Sequence, residues 1–464
     1  MLWTHQQEAI EWADGRRDAL LWLGMGCGKT RVALEIIKRG MLAGSIRRIL
    51  VGCPKAVIPA WAKQAALWLP EIRIILLDRG TSADKGRQIV AAMADTSPVI
   101  IVCNYESLWR IKEVEKVSWN CLVWDEVHRL KSPSGAASKW AAKLGKKNPT
   151  AKRIGLSGTM LSQSPLDAFG TWRAVESPEC PTFGQLYGLF KATYAIVNPH
   201  VPGMVIGWRN REQFAAKVAA TTFHRKSEDV LDLPPIHHVE VPVEMTAKEA
   251  KVYTQLEREF CAEVDGGYIT PANAMVGLLR MLQATSGFMK LDDTATARQI
   301  DETPSKRAAF ADMLEDMPAD EPLVVFCRFR SDIDSVIHVC NSLGRSVSEL
   351  SGRIDSLAAW QAGETAVLVA QIQSGGIGID LTRAAVGVFY SLGHSLSEWL
   401  QAIARLHRPG QERSTRFFSL VATLQGKTSA DGRVYEALSN RKEVIDVVIN
   451  AYSTRHNKPA LERA

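Results

Sequence analysis

Two α/β lobes in tandem, each a parallel sheet wrapped by helices, with a helical insertion on the second, form the fold the sequence predicts. Three observations carry it. Short apolar runs alternate with longer amphipathic stretches at residues 19–23, 49–53, 99–103, 121–125 and 154–157, the rhythm of strands buried on both faces and covered by helices. The rhythm stops and then resumes at 323–327, 366–370, 386–391 and 417–421. At 464 residues, with 46% hydrophobic and 23% charged content, the chain has globular composition and is too long for one compact core.

Between the two series, from about residue 181 to 301, the sequence turns helical and aromatic, and Leu233-Pro234-Pro235 is its clearest break. The lobes are therefore expected at 1–235 and 236–464. Residues 246–290 read as the helical insertion, with Leu278, Leu279, Met281 and Leu282 available to pack it. No low-complexity tract or short tandem repeat interrupts this plan.

The formal net charge of +6 suits a polyanionic partner without requiring one. None of the 8 cysteines is paired at the spacing of a zinc knuckle or redox dithiol, and Cys53, Cys103, Cys121 and Cys327 sit in apolar runs, so they read as reduced core residues of an intracellular protein. The first residues lack a basic region followed by an apolar stretch, and no apolar run approaches the roughly 20 residues that span a bilayer. Neither secretion nor membrane insertion is expected.

The first motif with chemistry is Gly24-Met25-Gly26-Cys27-Gly28-Lys29-Thr30, between the strand-like run 19–23 and a helix-like stretch at 31–39. Glycines let backbone N–H groups converge on anionic oxygens at a helix N-terminus. Gly24, Gly26 and Gly28 would cradle the phosphates of a nucleotide, Lys29 would meet the β- and γ-phosphates, and Thr30 would meet Mg²⁺. The strict pattern wants glycine where Leu23 stands, so this is a variant with glycines at alternate positions. A second Gly-Lys-Thr, at Gly426 to Thr428, has no glycine-rich approach and reads as a surface turn.

Run 121–125 ends in Asp125-Glu126, two carboxylates placed at the carboxyl edge of a sheet beside the phosphate loop. Asp125 would hold Mg²⁺ and Glu126 would orient or deprotonate the attacking water. Hydrolysis also needs positive charge on the γ-phosphate. Residues 401–411 supply Arg405 and Arg408, three apart and on one face if the stretch is helical, with a solvated basic face as the plain alternative.

Together these segments resemble superfamily 2 helicases, and within them the SWI/SNF-type DNA translocases, over nearly the whole chain. His5-Gln6 looks like the adenine-reading glutamine motif, with Gln6 in that role. Residues 49–61, with Pro54 and Trp61, look like the motif whose loop touches nucleic-acid backbone, and Asn104-Tyr105-Glu106 is similar to its short Tyr-Glu element. Asp125-Glu126-Val127-His128 fills the Asp-Glu-x-His box, and Leu156-Ser157-Gly158-Thr159 looks like the segment coupling ATP state to lobe movement. Phe223 to Lys226 resembles the basic stretch crossing between lobes. Residues 374–381, including Gly376 and Asp380, are similar to the loop that contacts nucleotide and nucleic acid. Gln401-Ala402-Ile403-Ala404-Arg405-Leu406-His407-Arg408-Pro409-Gly410-Gln411 is the most diagnostic. Trp22 and Leu23 replace the acidic residue usual before the phosphate loop, and Met160 replaces the usual proline.

The resemblance implies two RecA-like doubly wound parallel-sheet lobes, ATP and Mg²⁺ as cofactors, and duplex DNA gripped through its backbone. It assigns catalysis to Lys29, Asp125, Glu126, Gln401, Arg405 and Arg408, and nucleotide binding also to Gln6, Gly24, Gly26, Gly28, Thr30, Gly376 and Asp380. A monomeric motor is expected, cytoplasmic and associated with nucleoid or viral DNA, with the helical insertion as the candidate surface for a protein partner. Two rival readings stay open: a strand-separating helicase on branched DNA or RNA, and a DNA-bound scaffold that uses ATP only as a switch. The bare motor core points to a bacterial or viral source.

Overall fold

The computed structural model describes residues 2–158, 161, 164–198, 205–265, 271–290, 297–372 and 379–440. The chain divides into two compact units, Met1–Asp232 and Leu233–Ala464.

The first unit is built on β1 (Asp18–Leu23), β2 (Arg48–Cys53), β3 (Arg73–Leu77), β4 (Val99–Asn104), β5 (Cys121–Asp125) and β6 (Lys152–Ser157). A small antiparallel hairpin, β7 (Ala195–Val197) and β8 (Val205–Trp208), follows, and then β9 (Thr222–Arg225). The main sheet runs β3-β4-β2-β5-β6-β1-β9, and every pairing in it is parallel. β2, β4 and β5 are almost wholly buried because helices cover both faces, which is why they read as continuous apolar runs. With all strands parallel, the ends of β1, β5 and β6 lie on one edge, where ligands bind in open α/β sheets.

Phe223 to Arg225, likened in sequence to a stretch crossing between lobes, is the last strand of this sheet. It pairs with β1 from Phe223 against Leu21 to Arg225 against Leu23. An aromatic arm between β6 and β9 stacks Phe183, Phe190, Tyr194 and Phe214 against Phe169 and Trp172. Cys180 in this arm is exposed, whereas the other seven cysteines are buried, so the expectation of core cysteines fails at this one position.

The second unit contains β10 (Ile236–Glu244), the short pair β11 (Phe288–Lys290) and β12 (Ala297–Gln299), then β13 (Leu323–Cys327), β14 (Val347–Leu350), β15 (Val367–Gln371), β16 (Val386–Phe389), β17 (Thr415–Leu424) and β18 (Lys427–Thr428). Its sheet runs β10-β17-β16-β13-β15-β14 in parallel, with β18 folded back on β17. The expected surface turn at Gly426 is this hairpin, whose left-handed Gln425 and Gly426 donate their backbone N–H groups to the Glu244 carboxylate. The insertion is two helices, Ala247–Asp265 and Pro271–Thr285, followed by β11. Tyr253, Phe260, Leu278, Met281 and Leu282 sink into the core of the unit. Among the described residues, no helix is long and apolar enough to cross a membrane.

Candidate active site

β1 delivers the glycine-rich loop to the carboxyl edge. Gly26 and Gly28 adopt positive φ, 80° and 77°, which lets the loop turn into the helix Lys29–Leu42 with Gly28 as its left-handed N-cap. The loop is held from two sides. Gln6 Nε2 and His5 Nε2 both reach the Cys27 carbonyl, at 3.2 and 3.0 Å. From β9 and the residues just after it, the Arg225 carbonyl accepts from Gly24 N at 2.9 Å and Ser227 Oγ donates to the Met25 carbonyl at 2.6 Å. The Lys29 ammonium folds back onto the Leu23 carbonyl, 3.4 Å away. Trp22, standing where an acidic residue is usual, packs on His224 with ring centroids 4.3 Å apart and planes tilted by 31°, and donates to the Gly158 carbonyl.

β5 ends at Asp125, 3% exposed, followed by Glu126 at 5%. Glu126 has φ 50° and ψ 52°, a left-handed conformation uncommon outside glycine, asparagine and aspartate. Asp125 Oδ1 accepts from Glu126 N at 3.0 Å, Oδ2 accepts from Trp61 Nε1 at 2.9 Å, and the Asp125 carbonyl accepts from Tyr105 OH at 2.7 Å. Burial, together with the adjacent Glu126 carboxylate, pushes the Asp125 carboxyl up to about 6, against the opposing pull of Trp61 and Lys29. His128 Nδ1 lies 2.8 Å from Ser157 Oγ and 3.3 Å from Glu126 Oε2, and burial holds this imidazole below its usual range. Glu126 Oε2 is buried without a hydrogen-bond partner among the described residues. A buried carboxylate pair with one oxygen that makes no hydrogen bond, His128 being its ionic neighbour, fits a cation and an ordered water. Among the described residues, no group of three or more His, Cys, Asp or Glu gathers as a metal cage.

The SNF2-related domain family matches residues 5–287, more than half of the chain, and the helicase conserved C-terminal domain family matches residues 305–410. The chain belongs to the SNF2-related family. It is thus a helicase-class ATPase of superfamily 2, carried on two parallel-sheet lobes.

Relatives of this SNF2-related chain differ in length. It is 25% identical over 453 residues to protein p41 of Acyrthosiphon pisum secondary endosymbiont phage 1, covering 93% of this chain and 94% of that one. It is 20% identical to the ISWI chromatin-remodeling complex ATPase ISW1 of Saccharomyces cerevisiae, covering 94% of this chain and 39% of the relative. It is also 20% identical to the DNA repair and recombination protein RAD54B of Gallus gallus, covering 97% and 54%. It therefore spans nearly all of the phage protein but about half or less of the eukaryotic ones. The solved SWI2/SNF2 ATPase core of Sulfolobus solfataricus with dsDNA aligns with a TM-score of 0.45 at 19% identity, covering 100% of this chain and 96% of that one.

In the SNF2-related chain's second unit, the helix Leu396–Leu406 is capped by Ser395, whose side chain accepts from Glu398 N. Gln401 lies in the helix and donates to Ser397 Oγ at 3.3 Å. The helix stops at Leu406, because His407 leaves helical geometry and its Nε2 engages the Pro234 carbonyl at 2.7 Å. Arg405 and Arg408 therefore do not share a helical face, contrary to the spacing argument. They flank one short segment instead: Leu381 N donates to the Arg405 carbonyl, and Arg408 Nη1 donates to the Ile379 carbonyl at 3.1 Å. Within that segment Asp380 is exposed, and its Oδ1 accepts from the backbone and hydroxyl of Thr382. Gln411 fastens the far end, its amide reaching the carbonyls of Thr382, Ala384 and Leu406. Gly376, Thr159 and Met160 lie outside the described residues.

Two contacts are absent from the sequence reading. Trp61, expected near nucleic acid, is fully buried with its N–H on Asp125. Ser227 braces the phosphate loop. Gln6, expected to read adenine, is 4% exposed, with its amide bonded to Cys27 and its oxygen to Trp3 N.

Proposed function

We propose that the chain couples ATP hydrolysis to movement along duplex DNA, which it grips through the phosphate backbone. The observation carrying the ATPase half is the convergence, on one sheet edge, of the Gly24 to Thr30 loop at the end of β1 and the Asp125-Glu126 pair at the end of β5. In this reading Gly24, Gly26 and Gly28 cradle phosphates, with Lys29 neutralising their charge. Thr30 and Asp125 would hold Mg²⁺, which supplies charge neutralisation on the phosphates when bound. Glu126 takes the proton of the attacking water, and its Oε2, which makes no hydrogen bond among the described residues and has His128 as its ionic neighbour, is the atom suited to that task. Arg405 and Arg408 would supply positive charge to the γ-phosphate, Gln401 would act beside them, and Asp380 would contact the nucleotide. Gln6 reads adenine after releasing Cys27.

The DNA half is supported by the names of the relatives, which concern chromatin remodelling and DNA repair. Backbone gripping is blind to sequence and weakens with salt as counterions are released. The reading is of a monomeric motor, working where its DNA lies. A protein partner on the helical insertion belongs to the same reading; among the insertion's described residues, Val276 is the one large exposed apolar side chain.

Steady-state ATP hydrolysis without nucleic acid and with duplex DNA, single-stranded DNA or RNA tests the proposal. Duplex DNA is expected to stimulate most, Glu126→Gln to lower kcat by about 10²–10⁴, and Arg408→Ala by about 10³ or more. Preference for a single strand or RNA would replace the translocase with a strand-separating helicase. Hydrolysis on no track would replace it with a nucleotide-switched scaffold.

A further inference from the structure

The helix Ile58–Trp68 starts just beyond the end of β2, after the turn Lys55–Val57, on the edge that also carries Asp125. Trp61 lies within its first turn and is fully buried, where an indole N–H needs an acceptor. Here the indole N–H is aimed at a single acceptor, Asp125 Oδ2, at 2.9 Å. The other oxygen, Oδ1, is held by Glu126 N at 3.0 Å. With one donor on each oxygen the carboxylate cannot rotate, and its remaining lone pairs are fixed in direction. Tyr105 acts differently: its hydroxyl donates to the Asp125 backbone carbonyl and leaves the carboxylate alone. Two buried aromatic donors thus serve one residue, only one of them touching the group that would meet a metal ion.

We propose that Trp61 is a positioning residue for the Asp125 carboxylate, setting the affinity of the nucleotide-bound divalent ion through its indole N–H. The inference rests on the ATPase reading above and assigns Trp61 to the metal half of that site. Partners of this kind, one shell behind a ligand, typically contribute 10–100-fold in metal affinity.

The test compares Mn²⁺ affinity in the presence of ADP, read by electron paramagnetic resonance, for the unaltered chain, Trp61→Phe and Tyr105→Phe. A further variant carries β-(3-benzothienyl)alanine at position 61, introduced by site-specific incorporation; it keeps the indole's shape and replaces the N–H with sulfur. Loss of the N–H is expected to weaken Mn²⁺ binding about tenfold in both position-61 variants, with metal-free ADP affinity held and with hydrolysis recovering as Mg²⁺ is raised. Tyr105→Phe is expected to lower the melting temperature and leave Mn²⁺ affinity within about twofold, because its bond is to backbone. Unchanged Mn²⁺ affinity in the benzothienyl variant would overturn the proposal, as would equal losses in Tyr105→Phe. If the unaltered chain binds Mn²⁺ with ADP but hydrolyses ATP on no track, the motor reading falls and the Trp61 comparison still decides. Failure of the unaltered chain to bind Mn²⁺ with ADP would overturn both.

Discussion

Ser227 Oγ donates to the Met25 carbonyl at 2.6 Å, fastening the phosphate loop to the residues that follow β9. The same serine limits the loop's composition. A Cβ on Gly24 would stand 2.3 Å from Ser227 Oγ and 2.5 Å from Ser227 N, and the second of these belongs to backbone that cannot swing aside. Gly24→Ala is therefore expected to displace the loop and weaken binding of a fluorescent ATP analogue more than tenfold, roughly 1.4 kcal/mol or more. Ser227→Ala, which removes the bond to the Met25 carbonyl and the weak one accepted from the Cys27 thiol, is expected to cost about 1 kcal/mol. Equal, small effects from the two substitutions would show that the brace does not shape the loop.

A second expectation concerns pH. Glu176 accepts from Thr182 N at 2.9 Å and from the Thr182 hydroxyl, and burial, with Asp18 adding to it, pushes its carboxyl up to about 7 from 4.5. Between those values the folded chain keeps a proton that the unfolded chain has released. The group's contribution to stability is thus fully present below the unfolded value and is lost as pH rises through 7. Glu176→Gln, neutral throughout, removes this loss. Its melting temperature relative to the unaltered chain is expected to climb between about pH 5 and about pH 8, and a flat difference across that window would refute the account.

A third follows from Lys306 and Asp431, an ion pair in the second lobe with side-chain exposures of 0% and 1%. Asp431 also accepts from Ala422 N. Replacing Lys306 by methionine keeps the volume and strands the carboxylate in the interior, which is expected to cost about 3–5 kcal/mol. A urea midpoint that barely moves would mean the aspartate is neutral in the fold or reached by water.

The architecture was legible wherever a strand is covered on both faces. β2, β4, β5, β13 and β15 present unbroken apolar runs because their sheets are parallel and sandwiched. The edge strands escaped that reading. β10 carries His237, His238 and Glu240 on a largely exposed ribbon, β14 mixes Ser348 and Glu349 into four residues, and β9 is four residues long. A pattern tuned to continuous burial passes over such segments as loop.

At the site, the Gly-Lys-Thr and Asp-Glu pairs stood out because phosphate and water chemistry demand those residue types at that spacing. Trp61 was singled out only within a stretch likened to a nucleic-acid-contacting motif; it is core instead, and only the fold reveals what its N–H faces. Arg405 and Arg408 fell between the two cases. Their identity was readable, and so was a helix stop near Pro409-Gly410, but the spacing argument carried the helix through Arg408, whereas it ends at Leu406, where His407 bonds the Pro234 carbonyl.

Seven thiols lie inside the fold and Cys180 alone is exposed, on the arm of the first lobe. A maleimide dye offered to the native chain would therefore find one address. With a second cysteine placed on the other lobe, fluorescence could follow the distance between the lobes through each turnover without stripping the natural cysteines first.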